Sequence, residues 1–419
     1  MTRLWGRASA LLGRSGAHPG TSGRVSTSRS HADLDRLSSH IILPSIHVTD
    51  EEMARAAYQD RGLYLARQEM WDQLAQQIRQ ADHDRTATPG GESAAMLLAF
   101  GARSDVISMA EDALHDGVAP KPDGIDAFES VAQEHPGAYP IQLIVALAHL
   151  DMFWAWHAIP AANTLDSAPS KARHHAGRAH ALLEGLCGFE EDAPSLVAAH
   201  CALSGALSTT ARGHEPRIAD HFEDLIDLDP ASPRHMRALG AAMLPARMGS
   251  YRELELEARR TAVRTGDVWG AGAYTWVYFD ALAQDAGALT LLDAAFFVDG
   301  LHDILRRRPD QHSANLLAAF CAVTMRAGIE VAPADRTARA TLHDSLTWIL
   351  RDHLHELHPL IWTQALHRPG AAPLPSRKAL ISEGRRTALH AIAAQFADDI
   401  GRGQSIAFSP SGMYMLPSP

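Results

Sequence analysis

The sequence predicts an all-α protein: antiparallel helical hairpins stacked irregularly into a solenoid or bundle, with a short extended arm at the C-terminus. Three observations predict it. An apolar stripe is followed three times by a proline eight residues after its first member: Phe128/Val131/Ala132 before Pro136, Phe222/Leu225/Ile226 before Pro230, and Leu301/Ile304/Leu305 before Pro309. Spacing of i, i+3, i+4 puts each set on one helical face, and proline then stops the helix. Ten residues beyond each proline stands a small residue, Ala146, Gly240 or Ala319, where two helices can approach closely. Finally, no stretch between 125 and 366 alternates with the period of a half-buried strand.

The elements follow in order. Residues 1–32 hold five arginines, many Ser and Gly, and no acid before Asp33. That composition suits a disordered tail, taken to residue 45, on a cytoplasmic protein; an organelle-targeting segment is the alternative. Thr49-Asp50-Glu51-Glu52 reads as a capping box opening a helix. A second helix aligns Trp71, Leu74, Ile78 and Ala81 before Pro89-Gly90-Gly91 breaks the run. Helical stretches near 93–101 and 104–115 complete an N-terminal set of hairpins over 46–118, closed by the linker Ala119 to Gly124.

Helix then follows helix from 125 to 366. Ser232 caps one with Pro233 at its first position, and Ser250 caps another that carries the i,i+4 pair Glu255/Arg259. Gly266 stops that helix, and an aromatic helix from about 270 to 285 comes next. Intervals between the three prolines are unequal, which excludes a strict tandem array. His367 to Pro375 reads as a second linker, and Ser376 caps a helix running to about Ile400. The segment 405–415 is the one strand candidate, as a short hairpin or an extended arm.

Around Pro230 the residues Phe222, Leu225, Ile226, Leu239 and Gly240 resemble the joint between two tetratricopeptide repeats. The likeness is partial at Pro136 and Pro309, where Val145-Ala146 and Ala318-Ala319 replace the Leu-Gly pair. The alanine that the family places twelve residues before the proline is missing, with Gly124, Ile218 and Phe297 there instead. The resemblance covers roughly 125–330 in degraded form. It implies a tetratricopeptide-like helical fold and a role in binding a protein or peptide. Pro245, Gly249 and Ser250 also resemble a turn in uncharacterised bacterial helical-repeat proteins, without that turn's tryptophan.

Charge narrows the function classes. The 49 acidic and 38 basic residues leave a net charge of -11, against the basic footprint that nucleic acid or an anionic membrane requires. The most apolar run, Leu143 to Trp156, is interrupted by His149 and Asp151 and falls short of the roughly 18 to 20 residues that span a bilayer. Cys187, Cys201 and Cys321 show no CxxC pairing and sit in Ala/Leu-rich runs, so buried thiols in a reducing compartment are expected.

Histidine is abundant, yet the densest cluster, His353 to His358, places Glu356 one residue out of the His-Glu-x-x-His pattern. It reads as a solvated helix end, and His174-His175 with His180 as part of an exposed helix. No metal and no cofactor are expected, and no serine-nucleophile or phosphate-loop motif is complete. The leading expectation is a non-catalytic, partner-binding scaffold in which Arg234 and Arg237, on one helix face, grip acidic groups of a protein or peptide. The competing expectation is a small-molecule binder or enzyme using the aromatic helices 148–157 and 274–280. Its pocket would combine His149, Asp151, Trp154, Trp276 and Asp280, with His149 as proton acceptor.

Overall fold

The structure, a computed structural model, describes residues 37–159, 168–208, 218–326, 332, 335–367 and 375–417. It is the all-α helical stack expected, with one small three-stranded sheet. The chain divides into two compact units, Asp50–Ala242 and Met243–Pro419 together with the segment before Asp50.

The first unit contains α1 (Asp50–Arg67), α2 (Trp71–His83), α3 (Ala94–His115), α4 (Asp123–Glu134), α5 (Tyr139–His157), α6 (Ala168–Leu183), α7 (Pro194–Ser208), α8 (Ile218–Leu228) and α9 (Pro233–Ala242). The proline-terminated stripes behave as their spacing requires: Phe128 and Ala132 are buried on α4, and Phe222, Leu225 and Ile226 on α8. Helix α5 packs against α2, α3, α4, α6 and α7. A helix enclosed in this way must be apolar nearly all round, which is why Ile141, Leu143 to Ala148, Leu150 and Phe153 are all buried.

The two stretches expected at 93–101 and 104–115 are one helix, α3. Arg103 and Ser104 look like a break in the pattern, but Ser104 turns its hydroxyl back onto the Gly101 carbonyl (2.8 Å) and the helix continues. Helices α1 and α3 cross at two glycines. A Cβ on Gly62 would collide with the Leu98 carbonyl, and one on Gly101 with the Gln59 carbonyl.

The second unit contains α10 (Tyr251–Arg264), the short α11 (Gly266–Trp269), α12 (Gly272–Gln284), a 3-10 turn (Ala286–Leu291), α13 (Ala294–Arg307) and α14 (Gln311–Ala319), which ends in a π turn (Phe320–Thr324). Helices α15 (Arg336–Asp344), α16 (Leu346–Asp352), α17 (Pro359–Leu366), α18 (Arg377–Gln395) and α19 (Ala397–Gly401) follow. Two of the expected caps form here, Ser250 accepting from Glu253 N (3.2 Å) and Ser376 from Ala379 N (3.3 Å), whereas the Ser232 hydroxyl before α9 donates to the Gly91 carbonyl (3.4 Å). The last long helix stops short of Ile400, because Phe396 leaves helical geometry with its ring buried and so separates α18 from α19. Most of the proline-rich linker expected before α18, residues 368–374, lies outside the described residues.

Three expectations need correction. Residues 353–357 are not a helix end but a loop held by two amides of α14. Gln311 Oε1 accepts from the amides of His355 (2.9 Å) and Glu356 (3.1 Å), while Asn315 Oδ1 accepts from His358 N (2.9 Å) and Trp362 Nε1 (3.0 Å). These bonds replace helical partners, and they bury His358. Cys187 is exposed, while Cys201 and Cys321 are buried and burial pushes both thiols up.

The tail expected to reach residue 45 does not. Residues 1–36 lie outside the described residues, but β1 (Ile41–Ile42) pairs in parallel with β2 (Ser405–Ser409) in the register Ile41↔Ile406. Strand β2 forms an antiparallel hairpin with β3 (Gly412–Leu416), with Phe408 opposite Met413. Ile41, Ile406 and Phe408 are buried. Beyond β1, the Pro44 carbonyl and Ile46 amide bond to both backbone groups of Leu357 (2.7 and 2.8 Å).

The glycine crossing gives a direct test. Gly62→Ala and Gly101→Ala are each expected to cost about 1–3 kcal/mol through overpacking. Gly205→Ala on α7, where an added Cβ meets nothing within 4 Å, is expected to be neutral or stabilising. Urea-denaturation midpoints of the three variants check the contrast.

Candidate functional site

Polar groups from several helix ends meet at the segment between α2 and α3. Asp82, the penultimate residue of α2, is buried. Its Oδ1 accepts from Ser195 N (3.1 Å), and its Oδ2 from Ser195 Oγ (2.5 Å) and Tyr139 OH (3.0 Å). Tyr139 and Ser195 lie in the first turns of α5 and α7, where unpaired amides and the helix dipole favour negative charge. Burial nevertheless pushes the Asp82 carboxyl up to about 6; the Ser195 and Tyr139 donors and the Arg85 charge offset only part of it. Arg85 donates to the Leu228 carbonyl (3.0 Å), the Asp192 carbonyl (3.1 Å) and the Asp192 carboxylate (2.5 Å), fastening the ends of α8 and α7 to the same loop.

A second cluster continues along this segment. The Gly90 amide donates to Glu51 Oε2 (2.6 Å), so the first turn of α1 is held to the loop. Gly91 adopts the left-handed conformation (φ +80°) and packs on Pro233, the first residue of α9. Glu92 pairs through one oxygen with Arg55 (2.7 Å) and through the other with Arg234 (2.9 Å). Arg234 therefore stands where the sequence places it, near the start of α9, but it is already engaged with a carboxylate. Arg237 is half-buried and is not free either.

Helix α5 carries the other polar groups. Arg103, fully enclosed on α3, donates through Nε to Asp151 Oδ2 (2.7 Å). His149 bonds through Nε2 to Glu129 Oε1 of α4 (2.9 Å) and through Nδ1 to His175 Nδ1 of α6 (2.9 Å). Arg178 binds both oxygens of Glu129, with Nε to Oε1 at 2.8 Å, and holds that carboxyl below the usual range against the effect of burial. Burial lowers His149, with Glu129 opposing, and pushes His175 down to about 3, helped by the neighbouring His149 and His174 charges. Trp154 packs edge-on against Phe153 and His157.

On α12, Trp276 packs against Trp269 and Phe279 (ring centroids 5.9 and 5.6 Å), and Asp280 is half-buried and engaged. From α10, Glu255 Oε2 accepts from the phenols of Tyr274 (2.7 Å) and Tyr278 (2.8 Å) of α12, while its other oxygen takes the expected Arg259 pair (2.7 Å). His149, Asp151 and Trp154 belong to one compact unit, and Trp276 and Asp280 to the other.

Four partners were missed in the sequence: Arg103, Glu129, His175 and Arg178. The only signal for them is the tandem His174-His175, and the expected exposed helix is wrong for His175, which is buried. Among the described residues no group of three or more His, Cys, Asp or Glu side chains is placed to hold a metal ion, and no helix is long and apolar enough to cross a membrane. Comparison with protein-family models, curated proteins and solved structures finds no match.

Asp82 and His175 act on stability in opposite directions. Between about pH 4 and 6 folded Asp82 holds a proton that the unfolded chain has released, so its contribution falls as pH rises, by on the order of 3 kcal/mol in all. Folded His175 lacks a proton that the unfolded chain holds from about pH 3 to 6.5, so its contribution rises with pH. Asp82→Asn is thus expected to make stability climb more steeply across pH 4–6, measured as urea midpoint against pH. An unchanged slope would place the Asp82 carboxyl at its ordinary value. Separately, Asp151→Ala leaves the Arg103 guanidinium buried without its carboxylate and is expected to cost about 3–5 kcal/mol, read from the same denaturation curves.

Proposed function

We propose that this chain is a non-catalytic, protein- or peptide-binding helical scaffold of tetratricopeptide-like build, working in the cytoplasm. The observation that carries the reading is the way its charged clusters close on themselves. Asp82 is met by two hydroxyls and an amide, Glu92 by two guanidinium groups, and Glu255 by two phenols and Arg259. Groups matched in this way orient helices and define a surface.

The binding surface assigned by this reading is the start of α9. Arg234 is about a third exposed, and Glu92 occupies it as an internal stand-in for an acidic partner group. An incoming carboxylate would take the place of Glu92 at the Arg234 fork, a charge-assisted contact suited to planar acids. Arg237, one turn further along the same helix, would flank it. Such contacts lie close to solvent and weaken with salt.

Affinity capture with the full chain, followed by titration of the recovered protein, tests the proposal. Glu92→Gln, which releases Arg234, is expected to tighten partner binding several-fold. Arg234→Ala with Arg237→Ala is expected to weaken it about tenfold or more, with a shallower salt dependence and a folded circular dichroism spectrum. Unchanged affinity in both variants, or a metabolite that co-purifies stoichiometrically while no protein is retained, would overturn it.

A further inference from the structure

Burial favours the neutral form of both imidazoles, and in that state the chain Glu129–His149–His175 sets where each proton sits. Glu129 is a carboxylate bound on both oxygens by Arg178, so it carries no proton to give. His149 Nε2, 2.9 Å from it, must therefore be the donor. A neutral imidazole with its hydrogen on Nε2 has only a lone pair on Nδ1. The 2.9 Å contact between the two Nδ1 atoms then requires His175 to donate from its Nδ1. It follows that the lone pair of neutral His175 lies on Nε2, the ring nitrogen that the contact with His149 leaves out. Two imidazoles in series, ended by a carboxylate, are thus aligned in one direction.

We infer that Glu129, His149 and His175 form a proton relay whose entrance is His175 Nε2, a site for a ligand hydroxyl or a water molecule as proton donor. The step balances without a further reactant. The donor's O–H bond breaks, its electron pair staying on the oxygen as an alkoxide or hydroxide, as a new N–H bond forms at His175 Nε2. The proton on His175 Nδ1 passes to His149 Nδ1, and the positive charge comes to rest on His149, against the Glu129 carboxylate. His175 ends neutral, with its hydrogen moved from Nδ1 to Nε2.

The surroundings favour that endpoint over a charge left on His175. His175 shares α6 with Lys171, His174 and Arg178, all of which oppose a positive charge on it or its partner. Helix α4 brings Glu129, which touches His149 and not His175. Helix α7, also packed on α6, carries His200 and Cys201 as its titratable groups, and His200 Nε2 is already bonded to the Leu186 carbonyl (3.1 Å). Glu129, the carboxylate closest to the pair, therefore makes His149 the better seat for the charge. The relay is independent of the binding surface at α9 and stands whether or not that surface is the functional one.

Long-range proton–nitrogen NMR on uniformly labelled full-length protein tests it. At neutral pH the hydrogen is expected on Nε2 of His149 and on Nδ1 of His175, the latter being the less common form of free imidazole. On acidification one proton is expected to enter the pair in a single step below the ordinary histidine range, leaving His149 protonated on both nitrogens and His175 switched to Nε2–H. Glu129→Gln is expected to lower the pair's proton affinity about tenfold or more, by removing the charge that stabilises His149. His175 found as Nε2–H at neutral pH, the acid charge found on His175, or an unchanged titration in Glu129→Gln would each overturn the relay. The wild-type spectra decide it even where a variant fails to fold.

Discussion

A carboxylate taken out of water at the end of one helix needs donors, and Asp82 finds them at the beginnings of two others. Ser195 offers its amide and hydroxyl from the first turn of α7, and Tyr139 its phenol from the first residue of α5. Each of these helix starts has unpaired amides of its own, so the carboxylate and the helix ends satisfy one another. The cost of burial is not fully recovered, as the raised Asp82 pKa records. What is gained is definition: α2, α5 and α7 can meet in only one way without leaving a buried polar atom alone. Arg85, Glu51 and Glu92 extend the same logic to the ends of α8 and to the starts of α1 and α9.

Helix α5 shows how a nearly all-apolar helix can still carry chemistry. Its surroundings demand hydrophobic side chains, and most positions comply. The two that do not, His149 and Asp151, are matched from different neighbours, by Glu129 and His175 on one side and Arg103 on the other. A buried ion pair is weak evidence for stability, because desolvation consumes most of its attraction. Their value lies in fixing orientation, and for His149 in fixing a direction for proton movement. Arg234 illustrates the complementary case, a cation near the surface whose partner, Glu92, comes from a glycine-rich loop far away in sequence.

The fold class was legible because helical periodicity and proline are local signals. The stripes ending at Pro136, Pro230 and Pro309 lie where their spacing puts them, and the Ser250 and Ser376 caps need only a few neighbouring residues to form. Local signals also misled. His353 to His358 has helical composition, yet the segment is drawn into a loop by Gln311 and Asn315, more than forty positions away. Ile41-Ile42 looked like tail because a two-residue strand has no pattern of its own; its partner β2 lies near the other end of the chain.

Local sequence is enough to say that this protein is built from helices, where most of them start and stop, and which face of each is apolar. Those properties follow from turn geometry, capping and side-chain spacing within a few residues. That α5 is enclosed, that His175 is buried, that Arg234 is paired with Glu92, and that His149 and Trp276 belong to different compact units emerges only once the chain has folded. Each of these depends on a partner remote in sequence. A hydrogen bond or ion pair forms wherever folding brings complementary groups within about 3 Å, and residue spacing along the chain carries no record of that distance.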